Sequence, residues 1–305
     1  MEKTFSIQEV KAARYFIEKK IALFITEDQY KWYIEQIEKV RSGVYRNIYF
    51  AFSKVSTVFG KRILDLNEND LIEAVIIRKG WNPSFWTVSE FIRINMLMEL
   101  TFLSGEEFLN LIKNIFGTAD LDERVAILKG LPIMPYQSRL TEIASEGVRS
   151  NSKLLFEAIA LNNPYPCDFF TESQWNQMVL KAAFIDSPIS DVFGLERRAN
   201  AALSDMSIDL VHERKAAGRE ITPEIWRIIA PFLSIDHLDD VKALFNDNNV
   251  LNQETAALAC YISNTEEAIL MLLEYRPDLH TKMMDNELSW QDITNKWNKK
   301  KLQEL

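Results

Sequence analysis

Apolar residues recur along this chain at the spacing of a helix rather than of a strand. Phe91, Ile94, Met98 and Phe102 follow one another at three- and four-residue intervals, and Leu154, Leu155, Ala158 and Ile159 form a second set. Each group therefore lies along one helix face. Helix-start signals punctuate the pattern. Ser6 with Glu9, Thr26 with Gln29, Thr87 with Glu90, Ser104 with Glu107 and Thr171 with Gln174 all have capping-box spacing. In that arrangement a hydroxyl and an acid or amide three residues on satisfy each other's backbone donors. Thr222 followed by Pro223 joins a capping hydroxyl to a proline at the first helical position. Asn-Gly and Asp-Gly turns are absent, and nine glycines in 305 residues are few for a protein built on tight β-turns. The pattern predicts an all-α protein with no significant sheet.

A faint echo links ILKGLPIMPYQSRLTEIASEGVRSNSKLLFEAIA, from Ile127, with IIAPFLSIDHLDDVKALFNDNNVLNQETAALAC, from Ile228. Both read as helix, short loop, helix, short polar turn, helix. Paired helices cannot hide their apolar faces alone and stack on neighbours, which predicts a HEAT-like α-α superhelix, a right-handed solenoid of helical pairs. No Pro-, Gly- or Ser-rich linker interrupts the chain, so residues 1–305 read as one domain, closed by a terminal helix after Ser289.

Composition narrows the function. An apolar content of 47% is ample for a folded core. The longest apolar runs, such as Met178–Ile185, are interrupted by Lys181 and fall short of the roughly 20 residues that span a bilayer. The first twenty residues alternate charged and apolar positions without a secretory h-region, which predicts a cytoplasmic protein. Cys167 and Cys260 are the only cysteines, too few for a disulfide framework or a metal cluster. A net charge of −9 argues against a general nucleic-acid binder, because phosphate neutralisation needs an excess of Lys and Arg. Walker, GxGxxG, HExxH, GxSxG and Cys-x-x-Cys motifs are missing, which lowers the expectation of an enzyme. No cofactor, metal or catalytic residue is predicted.

Candidate binding residues concentrate between 162 and 231. On a helical projection Asn176 falls inside the apolar arc formed by Val179, Leu180 and Ala183. A buried amide needs partners, so Asn176 either ties down the preceding turn or a neighbouring helix, or faces a polar ligand cavity. Lys181, beside Phe184 and Ile185, is either a snorkelling surface lysine or a ligand-directed ammonium. Projecting Glu196 to Gly218 as a helix brings Arg198, Asp205, Asp209 and His212 within about 60° of one another. Leu203, Met206 and Leu210 flank that stripe on one side, and Ile208 and Val211 on the other. Asp209 and His212 have the i, i+3 spacing of two metal ligands, although a salt-bridged solvent face explains them better. Arg197, Arg198, Arg214 and Arg219 suit an anion site, or structural pairing with Glu196, Asp205, Glu213 and Glu220. Asn163-Pro164-Tyr165-Pro166 reads as an extended turn holding Tyr165 rigidly, since residues before proline avoid the helical region. Upstream, Trp81-Asn82-Pro83-Ser84-Phe85-Trp86 leads into the helix containing Arg93, and both aromatic clusters suit packing between helices better than a ligand box.

Five motifs in this order resemble the EboA family of bacterial metabolite-traffic proteins: NPYP, WNxMVLKAxF from Trp175, GLxRRAN from Gly194, HERxAAGR from His212, and Pro223-x-x-Trp226. The sequence departs from the family pattern at Ala183, Asp186 and Lys215, which touches ligand specificity more than fold. The resemblance implies a soluble component encoded beside a UbiA-like prenyltransferase and enzyme-like partners, in clusters that move secondary metabolites or their precursors. It transfers no catalytic residue. Two functions follow as expectations. One is a non-catalytic scaffold whose helical surface binds a metabolite or partner protein. The other is an enzyme acting on a phosphorylated or prenylated precursor, with Lys181, Asp209 and His212 as acid–base candidates.

Overall fold

The computed structural model describes residues 5–303. Among them are eighteen α-helices and no strand, with one isolated bridge between Ile63 and Thr87. The protein is all-α. Its residues fall into two compact units, the first ending at Gln174 and the second beginning at Trp175.

The first unit opens with α1 (Ile7–Phe24), α2 (Glu27–Arg41), α3 (Tyr45–Phe59), α4 (Glu68–Ile77) and α5 (Val88–Met98). It continues with α6 (Gly105–Thr118), α7 (Leu121–Gly130), α8 (Thr141–Arg149), α9 (Lys153–Ala160) and α10 (Tyr165–Phe169). The division point falls in α11 (Glu172–Phe184). The second unit holds α12 (Ala201–Ala216), α13 (Trp226–Ile229), α14 (Leu238–Phe245) and α15 (Val250–Ser263). It ends with α16 (Glu266–Tyr275), α17 (Pro277–Met284) and α18 (Trp290–Gln303). The echoing stretches have the same element order: α7, 3-10 turns, α8, α9 in one, and α13, 3-10 turns, α14, α15 in the other.

All five hydroxyl capping boxes form. Two more use other oxygens, with Asn67 and Asp70 starting α4 and Asp120 and Glu123 starting α7. Thr222 caps a 3-10 turn, Pro223–Ile225, rather than a full α-helix.

α5 is the centre of the first unit. It packs against α1, α3 and α7, and every one of its residues is buried, the condition of a helix apolar on nearly all sides. Arg93 is bonded rather than stranded there. It donates from Nε to the Phe52 carbonyl at 3.2 Å and from Nη2 to Ser56 Oγ at 2.8 Å, with Glu123 at 3.7 Å. Gly130 lets α7 come close, because a Cβ there would overlap the Ile94 side chain. The apolar series from Phe91 breaks at its end: Phe102 is 55% exposed because Glu99–Phe102 tightens into a 3-10 turn and rotates it off the helical face.

The NPYP segment departs from the expected extended turn. Asn163 Oδ1 accepts the Tyr165 N–H at 3.0 Å, and its Nδ2 donates to the carbonyls of Leu128 and Ala158, both at 3.0 Å. Thus anchored, Tyr165 starts the short helix α10, with Pro166 in the first turn, where no backbone N–H is needed.

In the second unit α15 is the hub, touching α13, α14, α16, α17 and α18. Burial pushes its Cys260 thiol up to about 12, which leaves the sulfur inert at neutral pH. α18 is a polar helix fastened by pairs: Lys296 to Glu254 at 2.7 Å, Thr294 to Glu224, and Lys300 and Lys301 to Glu220. Burial disfavours the Glu220 carboxylate, but the two ammonium groups outweigh it and hold its pKa below the usual range. A depressed carboxylate pKa contributes stability above the unfolded value of about 4.3, and loses it as pH falls through the folded value. Exchange of α18 amides, corrected for intrinsic rate, is expected to rise below that pH, and Glu220→Gln should raise it at neutral pH. Unchanged protection in Glu220→Gln would contradict this anchoring.

Candidate functional site

The site is built by α11 and α12. α11 starts at the Thr171–Gln174 box and ends in a Schellman turn, with Asp186 in the left-handed region (φ 54°) and the Ser187 N–H on the Ala182 carbonyl at 2.9 Å. α12 starts where Asn200 Oδ1 accepts the Leu203 N–H at 2.9 Å. It ends in a second Schellman turn, with Gly218 at φ 64° and the Arg219 N–H on the Arg214 carbonyl at 2.9 Å. The HERxAAGR motif is thus largely helix-termination chemistry.

Asn176 joins the starts of the two structures. It donates to Asn200 Oδ1 at 3.1 Å and accepts from Asn200 Nδ2 at 2.9 Å, which meets the demands of a 5% exposed amide. Of the two readings open for Asn176, its bonds match the tie to a neighbouring helix. Arg214 does the same work at the other end: its guanidinium reaches the carbonyls of Ala183, Phe184 and Glu220 and the carboxylate of Asp186.

Between these ties lies an open groove of about 440 Å³. Leu180, Phe184, Met206 and Leu210 make its apolar walls, and Lys181, Asp209 and Glu213 bring charge to it. Burial lowers the Lys181 pKa from its ordinary value, since a partly desolvated ammonium loses hydration. An apolar surface beside one ammonium and two carboxylates can hold a molecule with an apolar body and a polar end.

The other candidates occupy different places. Arg198 is not on α12: it lies in the 3-10 turn Glu196–Arg198, with its guanidinium 4.9 Å from the Trp175 ring centroid. The projection that grouped it with Asp209 and His212 assumed an unbroken helix, whereas the chain leaves helical geometry at Ala199 and Asn200. His212 Nε2 is 2.8 Å from Asp240 Oδ1 on α14, while Asp209 lines the groove. No group of three or more His, Cys, Asp or Glu able to hold a metal occurs among the described residues. Arg197 stacks over Phe193 at 5.6 Å. Arg219 lines a separate cavity of about 250 Å³ with Trp226 and Trp297. The acids expected beside these arginines have other partners as well: Glu196 with Arg227, and Glu220 with the α18 lysines. In the first unit Tyr165 is a core residue. Its hydroxyl donates to the Gln137 carbonyl at 2.7 Å, its ring packs on Phe169, and burial raises its pKa.

Of the residues singled out from the sequence, the groove unites Lys181 and Asp209. It adds Leu180, Phe184, Met206, Leu210 and Glu213. Their signal was present as two i, i+4 apolar pairs, Leu180 with Phe184 and Met206 with Leu210, which read as ordinary packing stripes.

Fold and groove together define an all-α protein with an amphiphilic surface groove formed between two consecutive helices. The chain belongs to the EboA family, described as metabolite traffic protein EboA, whose profile matches residues 13–230. The match covers the whole groove and ends before α14. No curated protein and no solved structure matches the chain. No helix among the described residues is long and apolar enough to cross a membrane.

Proposed function

We propose that this chain is a non-catalytic binding component of a secondary-metabolite trafficking or biosynthesis pathway, and that it holds an amphiphilic metabolite in the α11–α12 groove. The groove itself carries the reading: an apolar surface with Lys181, Asp209 and Glu213 beside it, wholly within the matched span. Its openness suits a ligand that is loaded and released, because exchange needs no lid. A metabolite passed to or from a UbiA-like prenyltransferase would have the two-part character the walls select. In the same proposal the protein acts in the cytoplasm, residues 1–305 work as one domain, and the helix pairs of each unit stack in HEAT-like fashion.

Native mass spectra of protein purified from its own cells test this. Wild type is expected to carry a small-molecule adduct that a Lys181→Ala/Met206→Glu variant of matched thermal stability lacks. Met206 is 39% exposed, so the second substitution changes the groove without opening the core. An adduct that persists in the variant, or apo protein in both, would sink the reading.

A further inference from the structure

The first unit holds a second cavity, of about 390 Å³, formed by the Trp81–Trp86 segment, α5, α7 and α9. Phe85, Trp86, Val125, Leu154 and Leu161 supply its apolar walls. Two of them are unusually exposed for their size, Phe85 at 70% and Leu154 at 58%. Large apolar groups left in water beside a concavity mark a binding surface more often than a plain one. The volume is within the roughly 300–1,000 Å³ of small-molecule sites.

Charge on the walls is one-sided. Glu90, Asp122 and Glu157 face a single ammonium, Lys129. Glu90 is fixed twice, by the Thr87 N–H at 2.6 Å as part of the α5 capping box and by Lys129 at 2.8 Å. Asp122 and Glu157 are paired with Lys61 and Lys153, whose side chains are 74% and 53% exposed. Such solvent-screened pairs contribute little. On the walls themselves an anionic ligand would meet three carboxylates against one ammonium. Phe85 adds an accessible aromatic face at which a cation is attracted.

We propose that this cavity binds a small organic cation, an amine carried on an apolar ring-bearing body, with its ammonium toward Asp122 and Glu157 and its rings between Phe85, Trp86 and Leu154. The proposal does not rest on the α11–α12 groove. It gives the exposed Phe85 and Leu154 a use that packing within the first unit does not.

Calorimetric titration of the full chain with tryptamine, and with indole-3-acetate as its anionic counterpart, tests it. Tryptamine is expected to bind about tenfold or more tighter than indole-3-acetate, a difference of one ion-pairing step. Phe85→Ala and Leu154→Ala alter exposed side chains, so both variants should keep the wild-type melting temperature while losing at least about fivefold in tryptamine affinity. The Lys181→Ala/Met206→Glu groove variant should bind tryptamine as wild type does. Equal affinity for amine and acid, no tryptamine binding, or binding that survives both cavity substitutions or is lost in the groove variant would each overturn the proposal.

Discussion

Replacing Arg214 with alanine is expected to cost the second unit about 3 kcal/mol, because it removes a buried guanidinium that serves one buried and three part-buried acceptors at once. Its side chain is 9% exposed. Nη1 donates to Glu220 O at 2.9 Å and Asp186 Oδ1 at 3.1 Å, and Nη2 donates to Ala183 O at 3.3 Å and to Phe184 O. Three of these acceptors are backbone carbonyls, two at the end of α11 and one in the segment that leaves α12, so losing them loosens two helix exits at once. At the usual entropy of unfolding for a unit of this size, the melting temperature should fall by roughly 10 °C. Arg214→Lys should recover less than half, since an ammonium cannot fork to acceptors on opposite sides. Calorimetry of the three proteins decides the matter, and a shift below about 2 °C for Arg214→Ala would mean that the carbonyls find other donors. The groove should lose its ligand in the same variant, as its walls are the two helices the arginine joins.

Glu99→Ala should destabilise the first unit by about 2–3 kcal/mol, on the same principle with the signs reversed. Glu99 has a side chain 3% exposed and accepts from Arg14 Nη1 at 2.9 Å and from Arg41 Nε and Nη2 at 3.0 and 2.8 Å. It thereby fastens α1 and α2 to the turn that follows α5. Arg41 is half exposed and can return to water, but Arg14, 27% exposed, keeps much of its desolvation with only Glu18, at 3.5 Å, as a remaining counter-charge. A suitable control is Glu73→Ala, which removes an exposed pair with Lys19 at 3.5 Å and should change stability by less than about 0.5 kcal/mol. Urea unfolding followed by helical circular dichroism compares them. Equal losses in the two variants would show that burial of Glu99 adds nothing.

The capping boxes show how local chemistry becomes legible. At a helix start a hydroxyl and an acid or amide three residues apart meet through local geometry, and all five pairs singled out form. The boxes of α4 and α7 escaped because Asn67 and Asp120 cap with other oxygens, although the geometry is identical. Asn200 escaped for the same reason, and with it the break that moves Arg198 off α12. A helical projection has no knowledge of where a helix begins, so an unrecognised cap corrupts every residue on its far side.

The candidate site was less legible because its polar residues compete for partners distant in sequence. Asn176 read either as a tie or as a ligand contact, and it bonds Asn200. Arg214 suited an anion or a structural pairing, and its guanidinium meets carbonyls and Asp186. His212 shares a face with Asp209 on paper, yet is bonded to Asp240, 28 residues on. Conversely, Met206 and Phe184 carried no chemical signal, and they wall the groove.

Taken alone, the sequence determined that this protein is helical, where several of its helices begin and to which family it belongs, since periodicity, caps and motif order act within a few residues of chain. Only the tertiary structure decided which polar groups are consumed in structural bonds and which face a cavity. That choice depends on which atoms arrive within about 3 Å of one another, and residues separated by tens of positions meet only when the helices have packed.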